Sequence, residues 1–130
     1  TQTAGLAAGG YTPSTSTSVN QVEEYDGSSW SEITELNTAR RYSGGSGTST
    51  SGLVISGNVS GPSAVTVCEA WNGSSWTEVA DVATGREVAG SSGNEDNSTG
   101  LFFGGTGGGV QAITEEWEAP DFEIKTVTTS

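Results

Sequence analysis

The chain repeats itself at a spacing of 46 to 47 residues, and no other feature constrains its fold as strongly. The segment Tyr-Asp-Gly-Ser-Ser-Trp at 25–30 returns as Trp-Asn-Gly-Ser-Ser-Trp at 71–76. An apolar run that ends in glycine occurs at 5–10, 52–57 and 100–105. Identities that fall at several separated places in one register indicate structural units that stack on one another.

Further positions follow the same register. Thr-Ala-Arg at 38–40 returns as Thr-Gly-Arg at 84–86. A third, degraded copy places Trp117 at the position of Tyr25 and Phe122 at the position of Trp30. The 130 residues therefore predict one domain of three repeats, at approximately 1–47, 48–94 and 95–130.

Each copy predicts four short β-strands and no helix. No segment keeps a 3.6-residue period, and the 20 glycines would penalise a helix. Asp26-Gly27 and Asn72-Gly73 are typical of tight hairpin turns, because these residue types tolerate a positive φ. In the first copy the strands are expected at 6–10, 19–25 and 30–33, with a further strand through 44–47. Second strands are likewise expected at 65–71 and 110–117.

Composition excludes several functions. With 16 acidic and 4 basic residues the net charge is -12, which opposes binding to nucleic acid through a basic surface. The chain has no His and one Cys, so His-based catalysis, an internal disulfide and a thiolate metal cluster are excluded, and no cofactor is expected. No apolar run is long enough to insert into a membrane. Low hydrophobicity with high charge is also typical of disorder, but the ordered repeats favour an all-β fold.

The pattern resembles the kelch-type β-propeller repeat. Such a repeat has an apolar run ending in a glycine pair, an aromatic residue, a short turn, a Trp, and an Arg that opens the next inner strand. The corresponding residues here are Gly9, Gly10, Tyr25, Trp30 and Arg40, and in the second copy Gly57, Trp71, Trp76 and Arg86. The copies depart from the pattern at Ser56 and Phe122. More narrowly, the segments at 1–6, 23–30, 36–40 and 124–130 are similar to segments of kelch-like proteins encoded by marine phages.

The resemblance implies about three four-stranded antiparallel blades, of which the first lacks its inner strand. A normal propeller ring has four to eight blades, so three cannot close one. Open blade faces and strand edges favour pairing with another chain. We therefore expect a homo-oligomer or a larger assembly, with completion of the ring by a further segment of a longer or cleaved chain as the alternative. The first blade is expected to receive its inner strand from outside residues 1–130 of the same copy.

The candidate site residues are those that repeat. The aromatic residues are interpreted as packing between blades, although a sugar-stacking platform is an alternative. They are Tyr25, Trp30, Trp71, Trp76, Trp117 and Phe122. Arg40 and Arg86 are interpreted as structural donors of charge-assisted hydrogen bonds, with an anion-binding role at the ring axis as the alternative. The repeated acids Glu23, Glu69 and Glu115 are their expected partners.

Other polar residues favour plainer interpretations. Asn94, Glu95, Asp96 and Asn97 offer oxygens that calcium could use, but a solvated loop is favoured because the spacing matches no EF-hand. Sequons at Asn58, Asn72 and Asn97 are explained equally by chance and by glycosylation. Cys68 stands at the position of Val22 and is expected to be a buried small hydrophobe.

The repeats favour a non-enzymatic structural or adhesive module of a virion, such as a phage fibre, tail tip or decoration protein. Its expected partners are itself, other virion proteins or a host surface glycan, contacted by variable loops at 11–20, 58–64 and 93–99. A bacterial extracellular surface-layer or filament protein is the alternative. A secreted carbohydrate-active enzyme is weaker, because adjacent carboxylates such as Glu23 and Glu24 point to opposite faces of a strand.

Overall fold

In the computed structural model, residues 3–93, 97–118 and 123–127 are described, the last of these ranges by its backbone only. Eleven β-strands lie in this part of the chain, which contains no helix. The strands are β1 (Gly5–Thr12), β2 (Thr17–Tyr25), β3 (Trp30–Ile33), β4 (Gly44–Gly47), β5 (Gly52–Ile55), β6 (Cys68–Trp71), β7 (Trp76–Val79), β8 (Gly90–Gly93), β9 (Thr99–Phe103), β10 (Thr114–Glu118) and β11 (Glu123–Val127).

The strands form three antiparallel sheets that follow one another along the chain. Sheet 1 contains β1, β2 and β3, sheet 2 contains β4 to β7, and sheet 3 contains β8 to β11, each in sequence order. The strand register repeats, because Ala7 is paired with Glu23 on the neighbouring strand of sheet 1 just as Val54 is paired with Glu69 in sheet 2. Within the described ranges these three sheets form no closed ring.

The predicted strands are confirmed, with three local corrections. The second strands expected at 65–71 and 110–117 are shorter, because they begin at Cys68 and Thr114. The segment expected as a loop at 11–20 is mostly hairpin, since β1 extends to Thr12 and β2 begins at Thr17. The predicted turn at Asp26-Gly27 joins Tyr25 to Trp30 through four residues, and only Gly27 has a positive φ, of 100°. Asp26 instead accepts hydrogen bonds through its carboxylate from the Ser28 and Ser29 amides.

Side chains of alternate strand residues build two cores, one on each face of sheet 2. The core between sheets 1 and 2 consists of Val22, Leu36, Val54, Trp71 and Trp76, with Leu6, Ala8 and Ile33 packed against it. The core between sheets 2 and 3 consists of Leu53, Ile55, Cys68, Val82, Phe102 and Trp117. In sheet 2, one face of each strand therefore contacts sheet 1 and the other contacts sheet 3, as the period of two requires.

The glycine that ends the apolar run is required for its backbone conformation. Gly9 has a φ of 70°, and a Cβ atom there would lie 2.5 Å from the Arg40 carbonyl oxygen. Ser56, at the equivalent position, keeps the left-handed conformation with a φ of 57°. Its hydroxyl lies 2.7 Å from the Arg86 carbonyl oxygen and accepts the Arg86 amide at 2.8 Å. These hydrogen bonds hold a serine in a conformation that favours glycine.

Candidate functional site

The linker between sheets 1 and 2 carries an arginine that bonds to both sheets. The Arg40 amide donates to the Val19 carbonyl, and the Arg40 carbonyl accepts from Gly10, so the backbone of Arg40 belongs to sheet 1. Its guanidinium is fully buried in sheet 2, where it donates to the Val67 carbonyl at 2.6 Å and to Glu69 Oε1 at 2.5 Å. One residue therefore fixes the position of two neighbouring sheets.

The carboxylate of Glu69 also accepts hydrogen bonds from other residues of this linker. It accepts hydrogen bonds from the Asn37 amide at 2.8 Å, from Asn37 Nδ2 at 2.9 Å and from the Thr38 amide at 3.1 Å. Together with Arg40 these donors satisfy a carboxylate that is completely buried. A buried charge is tolerated only when it is paired and hydrogen-bonded in this way.

The same arrangement recurs one repeat later. Arg86 donates to Glu115 Oε2 at 2.5 Å and to the Ile113 carbonyl at 2.8 Å, and both side chains are fully buried. The predicted pairing of the repeated arginines with Glu69 and Glu115 is confirmed. The third predicted acid, Glu23, is exposed, and none of the described side chains donates a hydrogen bond to it. We call each Arg–Glu pair with its linker a clamp.

The repeated aromatic residues divide into buried and exposed members. Trp71, Trp76 and Trp117 are 3%, 7% and 2% exposed. Trp76 lies 5.2 Å from Trp71 between ring centroids, and its Nε1 donates to the Thr34 carbonyl of the linker that follows sheet 1. These three indoles therefore pack between the sheets or against them, and Trp71 and Trp117 also line a cleft of about 580 Å³ beside Ala70 and Val79.

Trp30 does not share the burial of its counterpart Trp76 within the described residues. It is 52% exposed, although its ring stacks on Tyr25 at the same 5.2 Å separation. The physical reason is its direction. Trp76 packs on sheet 1, whereas Trp30 points away from sheet 2, where the described residues supply no further sheet. Phe122, the remaining predicted member, lies outside the described residues.

A cluster of residues that do not repeat lies where the linker enters sheet 2. The Arg41 guanidinium is 4.6 Å from the Tyr11 ring centroid and 5.5 Å from that of Tyr42. Tyr11 and Tyr42 are 40% and 53% exposed. We call these three residues the tyrosine–arginine cluster. The sequence analysis did not identify this cluster. A difference between the repeats was visible, however, because Glu87 stands in the next repeat where the first has Arg41.

The backbone beside this cluster is strained. Tyr42 has a φ of 57° and Val88, at the equivalent repeat position, has a φ of 55°. The Val88 amide donates to the Tyr42 carbonyl at 3.0 Å, which holds the two exposed residues together. A left-handed conformation is unfavourable for a β-branched residue such as Val88, and backbone strain of this kind is concentrated at functional positions.

The remaining candidates lie in different surroundings. Asn58 is 2% exposed and donates to the Gly61 carbonyl, so the predicted loop at 58–64 is anchored and this sequon is covered. Asn72 is exposed and caps its turn, while Asn97 Nδ2 donates to the Trp71 carbonyl. The other residues of the suspected calcium loop, Asn94 to Asp96, lie outside the described residues.

Two titratable groups have shifted pKa values. Hydrogen bonds from the Ser29 and Ser28 amides lower the pKa of Asp26 to about 2. Burial raises the pKa of the Cys68 thiol to about 11, and Cys68 is fully buried, as its repeat position predicts. In the described part of the chain no three His, Cys, Asp or Glu residues are grouped to hold a metal ion. The same residues contain no helix able to cross a membrane.

Comparison with known proteins identifies a shared fold. No protein-family model matches the sequence, and no curated protein matches it. The solved structure of YjhT superimposes on 98% of this chain with a TM-score of 0.78, at 13% sequence identity. The chain spans 43% of the length of that structure. At this identity the similarity shows the fold alone.

Proposed function

We propose that the chain is a non-enzymatic structural and adhesive module built from kelch-type β-propeller blades. Its clamps are the observation that carries the proposal. Each one fixes the backbone of a linker to one sheet and buries the arginine in the next, and the two clamps have matching hydrogen bonds. A construction that adds identical sheets in a fixed orientation is suited to a rigid scaffold.

Both outer faces of the three-sheet array support continuation of the stack. Leu101 and Phe103 of sheet 3 are 39% and 42% exposed, whereas their counterparts Leu53 and Ile55 in sheet 2 are each 1% exposed. Exposed apolar residues at positions that bury apolar residues elsewhere favour a further partner. The structure of YjhT also extends well beyond the 43% that matches this chain. We propose that further sheets, from another chain or another segment, complete a propeller.

The tyrosine–arginine cluster is the proposed adhesive surface. Tyr and Arg are the residue types that most often anchor protein interfaces, and an exposed tyrosine ring can also stack on a sugar. The residues of the cluster vary between repeats, while the arginine and the glutamate of each clamp do not. This contrast is expected of a scaffold that presents a variable recognition surface. The sequence segments that resemble marine-phage proteins favour a virion as the location. There the module would contact a host surface glycan or another virion protein.

Binding of the whole chain to an array of bacterial surface polysaccharides tests the adhesive role. Tyr42→Ala should weaken binding at least about tenfold, the effect of removing an interface anchor. Val110→Ala, which changes an exposed apolar residue outside the cluster and outside the outer face of sheet 3, is the matched control. Equal binding by wild type and Tyr42→Ala would contradict the cluster as the adhesive surface. Mass spectrometry of purified phage particles that encode the chain tests its place in the virion.

A further inference from the structure

Sheet 1 presents one face that no described sheet covers. Ala7, Glu23 and Trp30 on this face are all exposed. Their counterparts in sheet 2 are Val54, Glu69 and Trp76, which are buried because they pack against sheet 1 and its linker. We call Ala7, Glu23, Tyr25 and Trp30 the open face of sheet 1.

The edge of sheet 1 is open at the same place. In sheet 2 the strand β5 pairs with both β4 and β6, and in sheet 3 β9 pairs with both β8 and β10. The equivalent strand β1 pairs only with β2 among the described strands. A cleft of about 590 Å³ runs between β1 and β4, with Leu6 and Ala8 on one wall and Gly44 to Gly47 on the other. None of the described strands therefore occupies the position of an inner strand beside β1.

In sheet 2 the equivalent face and the equivalent strand edge are both covered by one continuous segment, residues 34–47. Its first half lies on the face, where the Thr34 carbonyl accepts the Trp76 indole and Arg40 pairs with Glu69. Its second half is β4, which pairs with β5 from Gly44 opposite Ile55 to Gly47 opposite Gly52. In sheet 3, Arg86 and β8 repeat this arrangement.

We propose that sheet 1 binds, from outside residues 3–127, a segment of the same kind: a Thr-x-Arg linker followed by a glycine-rich strand. Its guanidinium pairs with Glu23, a carbonyl of its linker accepts the Trp30 indole, and its strand pairs with β1. The repeated register places the strand's four residues opposite Ala8, Ala7, Leu6 and Gly5. This inference rests on the proposed role of the chain as a module of stacked blades.

The donor of this segment is a further sheet of the repeat. A second copy of the described residues cannot offer its own linkers, because Arg40 and Arg86 are both completely buried against their own acids. An arginine is the complementary partner for Glu23 in a chain with a net charge of -12. Addition of a strand to an open edge supplies the remaining hydrogen bonds.

A synthetic peptide with the sequence of residues 33–47 tests the inference on the whole chain. We expect it to bind wild type, to shift the tryptophan fluorescence of wild type but not that of Trp30→Phe, and to slow amide exchange in β1. Glu23→Gln should weaken binding at least about tenfold, as expected when a charge-assisted hydrogen bond is lost. Glu24→Gln removes the same charge from the opposite face of β2 and should bind as wild type does.

A double-mutant cycle identifies the contact. A peptide with Arg40→Gln should bind wild type at least about tenfold more weakly, but should lose little more against Glu23→Gln. Independent effects of the two changes would overturn the pairing, and no binding at millimolar peptide would overturn the site. A stable dimer of the chain that buries Trp30 would also overturn this inference, while leaving the proposed structural and adhesive function in place.

Discussion

Trp76→Ala and Trp30→Ala remove the same side chain from the same repeat position, but only Trp76 is buried. Trp76 is 7% exposed and donates to the Thr34 carbonyl at 3.1 Å. Its roughly 190 Å² of buried surface, at about 25 cal/mol per Å², contributes about 4–5 kcal/mol, reduced by residual burial in the unfolded chain and increased by about 1 kcal/mol for the hydrogen bond. We expect Trp76→Ala to lower the free energy of unfolding by about 4 kcal/mol.

Trp30 is 52% exposed, so the same calculation gives a loss of about 2 kcal/mol or less for Trp30→Ala. Urea unfolding followed by circular dichroism, with equal m-values, measures both losses. Two protein concentrations should be compared, because an assembly that covers Trp30 would make its loss depend on concentration. Losses that agree within about 0.5 kcal/mol in the monomer would refute the assignment of the two environments.

Three further predictions concern the clamp, the thiol and the turn. Glu69→Gln should lower the free energy of unfolding by about 3–5 kcal/mol, because it leaves the buried Arg40 charge uncompensated, whereas Glu23→Gln should change it by less than about 0.5 kcal/mol. With a pKa of about 11, Cys68 should react with iodoacetamide at pH 8 at least roughly a hundredfold more slowly in the folded than in the urea-unfolded chain, and equal rates would contradict its burial. Because the folded pKa of Asp26 is lowered to about 2, its contribution to stability should be present above about pH 4 and be lost as the pH falls through 2, a dependence that Asp26→Asn should remove in acid titrations.

The strands could be predicted from the sequence because the alternation of side chains within a strand and the recurrence of residues between repeats indicate the same segments. In sheet 2 the side chains alternate between two faces. Leu53, Ile55 and Cys68 lie on the face that contacts sheet 3, and Val54 and Glu69 lie on the face that contacts sheet 1. The partners of the arginines could also be predicted, since an arginine that recurs at the spacing of a recurring glutamate satisfies both buried charges. Repetition therefore carried the information on local structure and pairing.

The environment of each repeated residue could not be predicted in the same way. Trp30 and Trp76 have the same local sequence, and their exposure differs because burial depends on whether a neighbouring sheet is present. The tyrosine–arginine cluster was missed for the opposite reason. Tyr11 and Arg41 are distant in sequence and are brought together by the Gly10–Arg40 backbone hydrogen bond, which a search for repeated residues does not reveal.

The two clamps also fix the geometry of the three-sheet array. The buried pairs Arg40–Glu69 and Arg86–Glu115 add little net stability compared with apolar residues of the same volume, because desolvation of the charges offsets their attraction. Their directional hydrogen bonds instead fix the rotation between successive sheets. The two ends of the array are different surfaces, with Glu23 and Trp30 at one end and Leu101 and Phe103 at the other. Contacts between unlike surfaces are heterologous, so a constant rotation about one axis closes a ring, and any rise along that axis produces a filament.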